Sequence, residues 1–190
     1  MTAPVTHNVM ADVLFVDLDG TLVATDVLRE ALVLAVKRRP WIALLFLFNI
    51  VRGRAAAKRV VAERIVPEPA RLPFRKDVLR FISETKALGR RVVLATASDA
   101  VWANAIARHV GCFDEVLASD GQYNLKGVDK LEAMQSYCQQ YGFATFAYMG
   151  DAMVDVPIWR QASQVYVVSP SPKLLAILHR ECPPTRVFGL

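Results

Sequence analysis

The stretch Val13-Leu14-Phe15-Val16-Asp17-Leu18-Asp19-Gly20-Thr21-Leu22 constrains the chain more than any other. Four apolar residues, β-branched and aromatic among them, read as a strand buried on both faces, and Gly20 ends it. Asp17 and Asp19 stand two apart, so at the mouth of the strand both carboxylates can point the same way. Two like charges that close are unfavourable unless a cation or a proton sits between them. An Asp-Gly turn is common after any strand. The full Asp-Leu-Asp-Gly-Thr-Leu run directly behind a hydrophobic strand is an arrangement with a use in chemistry.

Strands and helices alternate behind it. Arg91–Ala95, Glu115–Ala118, Phe146–Met149 and Val165–Val168 read as further buried strands. Helices are predicted from Thr25 or Asp26 to about Arg39, after Pro73 up to Gly89, from Ser98 to about His109, and from Val128 to Tyr141. One more carries Val156, Ile158 and Trp159, and the last runs from Lys173 to about Arg180. Such alternation implies an α/β fold, a Rossmann-like parallel sheet flanked by helices. Sheets of this kind carry their sites at the carboxyl ends of the strands. The segment 26–69 interrupts the alternation and reads as a small helical cap inserted after the first strand, with 1–25 and 70–190 forming the core.

Charge is concentrated in that cap. The chain of 190 residues has a formal charge of +5, but Arg29–Arg64 holds nine Lys/Arg against two Asp/Glu, leaving the remainder at −2. The basic residues interleave with aliphatic ones and form no recognition module, so nucleic acid is not expected as a partner. Pro40 opens a helix, Trp41–Val51, with Asn49 as its single polar residue. At 1.5 Å per residue it reaches about 17 Å, too short to span a bilayer, and Lys37-Arg38-Arg39 and Arg52 close it off. It can be buried in a helical subdomain, lie against anionic lipid, or dock on a membrane protein. A third helix is expected from Ala55 to about Val66. Three widely spaced cysteines without a Cys-x-x-Cys pair argue against disulfides or zinc and fit a reducing cytoplasm. Met1–Asp12 lacks an export pattern. The expected location is cytoplasmic, with membrane association through the cap left open. His7, His109 and His179 lie in no cluster.

Three more strand ends carry polar groups. Thr96-Ala97-Ser98 precedes a helix, where a hydroxyl and backbone amides can hold an anion or simply cap the helix. Asn124-Leu125-Lys126-Gly127 offers a lysine, with Lys130 as its competitor. Gly150-Asp151-Ala152-Met153-Val154-Asp155 adds two acids after an apolar strand. Acids gathered at the ends of buried strands suit a hard divalent cation with oxygen ligands.

In this order the four segments resemble the motifs of the haloacid dehalogenase-like (HAD) phosphohydrolase superfamily. The Asn-x-Lys-Gly arrangement resembles that of its phosphoserine-phosphatase-like branch. The resemblance implies a Mg²⁺-dependent phosphatase in which Asp17 attacks phosphorus to form an aspartyl-phosphate and Asp19 serves as acid and base. It places phosphate on Thr96 and Ala97, and favours Lys126, from its Asn-x-Lys-Gly setting, as the lysine that neutralises nucleophile and phosphate. It puts Mg²⁺ on Asp17, the Asp19 carbonyl, Asp151 and Asp155. Ala152 and Val154 stand where phosphoserine phosphatases usually have Gly and Asn, and Asp26 replaces their cap Glu, which argues against phosphoserine. The basic, apolar cap resembles that of HAD domains attached to membrane polyprenyl transferases. The expected substrate is therefore a phosphorylated small molecule or a lipid or polyprenyl phosphate. The other reading is a module that binds or regulates a membrane enzyme through its cap.

Overall fold

The computed structural model describes residues 11–189; Met1–Met10, with the expected absence of an export pattern there and with His7, lie outside the described residues. The chain runs β1 (Val13–Val16), α1 (Val27–Arg38), α2 (Pro40–Ile50), α3 (Arg54–Ala62), α4 (Lys76–Ala87), β2 (Arg91–Asp99), α5 (Ala100–Val110) and β3 (Glu115–Ser119). It continues through α6 (Val128–Tyr141), β4 (Phe146–Gly150), α7 (Val156–Trp159), β5 (Gln164–Val168), α8 (Pro172–Glu181) and β6 (Arg186–Phe188). The six strands form one parallel sheet in the order β3-β2-β1-β4-β5-β6.

This order makes β1 the pivot. The chain builds outward through β2 and β3 on one side, then returns to lay β4 against the other. The carboxyl ends of β1 and β4 thus flank the point where strand order reverses, which is where open α/β sheets form their sites. All four residues of β1 are buried. Leu14 and Val16 join a core with Ile82 of α4 and Trp102 and Ile106 of α5. Val13 and Phe15 join the opposite core with Met134 of α6, Trp159 of α7 and Leu178 of α8. Alternate side chains of one short strand therefore fasten both helical layers.

Local chemistry sets the boundaries. Asp26 caps α1, accepting from the Arg29 N–H at 3.0 Å, while the neighbouring Thr25 hydroxyl donates to Glu30 at 2.7 Å. Pro40 opens α2 as expected. Gly89 takes the left-handed conformation just past α4. Helix α5 is capped by Asp99, which accepts from the Val101 N–H at 2.9 Å, and not by Ser98, because β2 runs on four residues past Ala95. Helix α3 stops at Ala62, short of Val66. Strand β6 is absent from the sequence expectation because three residues behind a Pro-Pro pair are too short to carry a period; pairing with β5 defines them. Cys112, Cys138 and Cys182 are free thiols.

Helices α1, α2 and α3 pack on one another, and α3 also packs on β2 and α5. Burial is not the fate of α2. Only Ile42 of its eleven residues is buried, and Trp41, Leu44, Leu47, Phe48 and Ile50 are exposed. No helix among the described residues is long and apolar enough to cross a membrane.

Phe15 meets Tyr137 and Phe146 edge-on at 5.7 and 5.9 Å between ring centroids. Truncating it opens a cavity under the pivot strand. Phe15→Ala is expected to lower unfolding stability by about 3–5 kcal/mol, measured by urea denaturation.

Candidate active site

The turn after β1 folds back on itself. The Asp17 N–H donates to the Met149 carbonyl of β4 at 2.9 Å, and Leu22 and Val23 donate back to the carbonyls of Asp17 and Leu18. Gly20 sits in this turn at a φ of +77°, and a Cβ there would lie 2.1 Å from an Asp151 carboxylate oxygen. Only glycine allows the β1 turn to approach the end of β4 so closely. Thr21, fully buried, donates its hydroxyl to Asp151 at 3.3 Å and ties the two strand ends together.

Asp17, Asp151 and Asp155 consequently present carboxylate oxygens that all lie within 4.8 Å of one another. Lys130, 3% exposed, donates to Asp17 Oδ1 at 2.8 Å and lies 3.6 Å from Asp155. The Tyr148 hydroxyl accepts from Lys130 at 2.9 Å and donates to Asp155 at 3.0 Å, closing a buried network beneath the site. Asp19 points elsewhere: it accepts from the Ser98 hydroxyl at 2.6 Å and from the Val27 N–H, at the start of α1, at 2.7 Å.

These groups open on a cavity of about 500 Å³ between the strand ends and the cap. One wall is charged, with Asp17, Asp19, Asp151, Asp155 and Lys130. The cap wall is largely apolar, with Leu28, Phe46, Ile50 and Ala57, beside Asp26, Arg54 and Lys58. Lys58 reaches from α3 to donate to the Ala97 carbonyl at 2.6 Å and to Asn124 at 2.9 Å. Its neighbour Arg59 pairs with Asp99 at 3.1 Å, so two successive cap residues grip the end of β2.

Asp17, Asp19, Ala97, Asp151 and Asp155 line one cavity. Two residues are placed differently from the others. Lys126 lines the cavity too, but the lysine that bonds Asp17 is Lys130. Lys126 precedes Gly127 on a loop, whereas Lys130 stands in the first turn of α6, whose side chains lean back toward the helix start and the strand ends. Thr96 is fully buried, its hydroxyl accepts from the Ser98 N–H at 3.0 Å, and it does not line the cavity. The pairing of β2 with β3 shifts register between Thr96 and Asp99, and past that irregularity Ala97 and Ser98 stand at the opening. Sequence reasoning offers Ser98 as a helix cap and Tyr148 as part of a buried strand, and does not single out Lys58; no local signal distinguishes them, since each acquires its partner from a distant segment.

Burial raises the Asp17 carboxyl to about 7, with Asp155 adding to the rise and Lys130 opposing it. Burial likewise lifts Asp151 to about 6, with the Asp155 charge adding and the Thr21 bond opposing. Burial raises Asp19 as well, against the Ser98 and Val27 hydrogen bonds. The single buried ammonium does not balance the acids packed against it. The oxygen-only donor set of Asp17, Asp151 and Asp155, at the cavity wall, fits a hard divalent cation such as Mg²⁺.

The chain matches the haloacid dehalogenase-like hydrolase family over residues 14–160, and it belongs to that family. An uncharacterised protein of Sinorhizobium fredii, y4nM, is 37% identical over 155 residues, which take in 82% of this chain and 29% of y4nM. The chain thus spans less than a third of that relative's length. A Bordetella pertussis protein of unknown function shares the fold with a TM-score of 0.74 at 19% identity, over 95% of this chain and 99% of its own. A substrate-bound phosphoserine phosphatase does so with a TM-score of 0.63 at 16% identity, over 94% and 93%.

Proton and metal ion compete for these acids. Asp17 holds its proton up to about pH 7 in the native state but only to 3.8 ordinarily. Between those values the native state binds more protons than the unfolded chain, so stability falls as pH rises through the window. A divalent cation would remove that loss. The melting temperature in EDTA is expected to fall from about pH 5.5 to about pH 8, and Mg²⁺ to raise it more at the higher pH. A Mg²⁺ shift independent of pH would contradict this, as differential scanning fluorimetry can show.

Proposed function

We propose that the protein is a Mg²⁺-dependent phosphomonoesterase working through an aspartyl-phosphate on Asp17. The observation that supports this best is the division of labour between two acids that stand two residues apart and line one cavity. Asp17 is held by Lys130 among carboxylates that suit a cation, while Asp19 is held away from them by Ser98 and Val27. Asp17, the Asp19 carbonyl, Asp151 and Asp155 would hold the ion, which would offset negative charge on the phosphoryl oxygens.

An Asp17 carboxylate oxygen attacks phosphorus as the P–O bond to the alcohol breaks. Asp19 gives the leaving oxygen its proton. Burial and the nearby Asp26 charge both raise the Asp19 carboxyl, which helps it carry that proton near neutral pH. Water then attacks the phosphorus, Asp19 takes its proton, and inorganic phosphate leaves as the Asp17–phosphorus bond breaks. Lys130 keeps Asp17 oriented and balances charge throughout. Ala97, at the open end of β2, offers its backbone N–H for a phosphate oxygen, and Lys126 stands on the same wall.

The substrate class follows from the other wall. Leu28, Phe46 and Ile50 suit an apolar alcohol portion, as in a lipid or polyprenyl phosphate. The segment 26–69 acts as the cap that selects it. A purely binding or regulatory module would have no use for an intact set of acids around a buried lysine.

Hydrolysis of p-nitrophenyl phosphate tests the chemistry. Turnover should require Mg²⁺, Asp19→Asn should cost about 10²–10⁴-fold in kcat, and Asp17→Asn about 10⁵-fold or more. Equal rates in wild type and Asp17→Asn would sink the proposal.

A further inference from the structure

Helix α2 carries a second feature, on the side away from the cavity. Trp41, Leu44, Leu47, Phe48 and Val51 recur at helical spacing along it and its C-terminal residue, and they are 49, 56, 60, 74 and 88% exposed. Helix α1, packed against it, adds exposed Val33 and Val36. Exposed large apolar side chains in this density mark a surface with a partner.

The charge around the face is of one sign. Lys37, Arg38 and Arg39 precede α2, Arg52 and Arg54 follow it, and all five are exposed. None of them makes an ion pair with an acid among the described residues. An apolar ridge bracketed at both ends by free cations matches a surface that is apolar within and anionic at its boundary. At eleven residues α2 can lie along such a surface but not cross it.

From this geometry we infer that α2 docks the protein on the surface of a bilayer containing anionic lipid. Leu44, Leu47, Phe48 and Val51 enter the acyl boundary, and the five cations contact headgroups. The same helix turns Phe46 and Ile50 into the catalytic cavity, so docking brings the cavity mouth beside the bilayer. An amphiphilic phosphate ester could then enter without crossing water. The docking does not depend on the phosphatase reading: vesicle binding can be present or absent whatever the hydrolysis assay gives.

The test is co-sedimentation with phosphatidylcholine vesicles with and without phosphatidylglycerol, alongside Trp41 fluorescence. Wild type should pellet with the anionic vesicles at least about tenfold more than with phosphatidylcholine alone, and high salt should release it. The double variant Leu47→Glu, Phe48→Glu should lose binding by about tenfold or more while keeping the wild-type melting temperature, since both side chains are already in water. Three results would overturn the inference: wild type staying in the supernatant with anionic vesicles, the double variant binding as wild type does, or a wild-type dimer that the double variant makes monomeric. The last would mean a second copy of the chain covers the face.

Discussion

The buried contact between Lys130 and Asp17 organises the site. A lysine 3% exposed at 2.8 Å from a carboxylate is not a cheap source of stability, because both charges have left water. It becomes useful because one ammonium serves several acids. Asp155 stands 3.6 Å from the same nitrogen, and Tyr148 links the two by hydrogen bonds on either side. Negative charge still exceeds positive, and that remainder is what a divalent cation or a proton must answer. Burial raises the carboxyls of Asp17 and Asp151, and the Asp155 charge adds to both rises.

Sheet order is what allows the contact. Asp17 leaves β1 and Asp151 leaves β4, neighbours only because the chain crosses back after β3. Lys130 comes from the helix that feeds β4, so the crossover supplies the cation together with the acids it faces. Gly20 and Thr21 then fix the distance between the two strand ends from the β1 side. On the opposite side of the cavity the cap is anchored by polar contacts of Lys58 and Arg59 to the end of β2, while α2 leaves most of its apolar surface outward. One helix thus lines the cavity with Phe46 and Ile50 and presents Leu47 and Phe48 to the surroundings.

Much of this can be read from residues alone. The alternation of buried strands and amphipathic helices predicts the parallel sheet, and the acids at positions 17, 19, 151 and 155 stand out because like charges gathered behind apolar runs are unfavourable without a cation or proton between them. What cannot be read is which side chains meet across the fold. Lys126 and Lys130 both stand near the start of α6, and one helical turn decides which reaches Asp17. Thr96 and Ser98 differ by two positions and would share a face of a regular strand, yet the register shift of β2 between Thr96 and Asp99 leaves one buried and sets the other against Asp19. The same holds for α2, whose uniform apolarity leaves burial and exposure equally open until its neighbours α1 and α3 are in place.

Whether Asp17 is the nucleophile can be read on the protein itself. Mixing it with an aryl phosphate and Mg²⁺, quenching in acid within one turnover, and mapping peptides by mass spectrometry would locate any phosphoryl group. The geometry predicts an acid-stable adduct on the peptide carrying Asp17, base-labile as acyl phosphates are, and absent from Asp17→Asn. Turnover with no adduct on that peptide, or with one on Ser98, would contradict it.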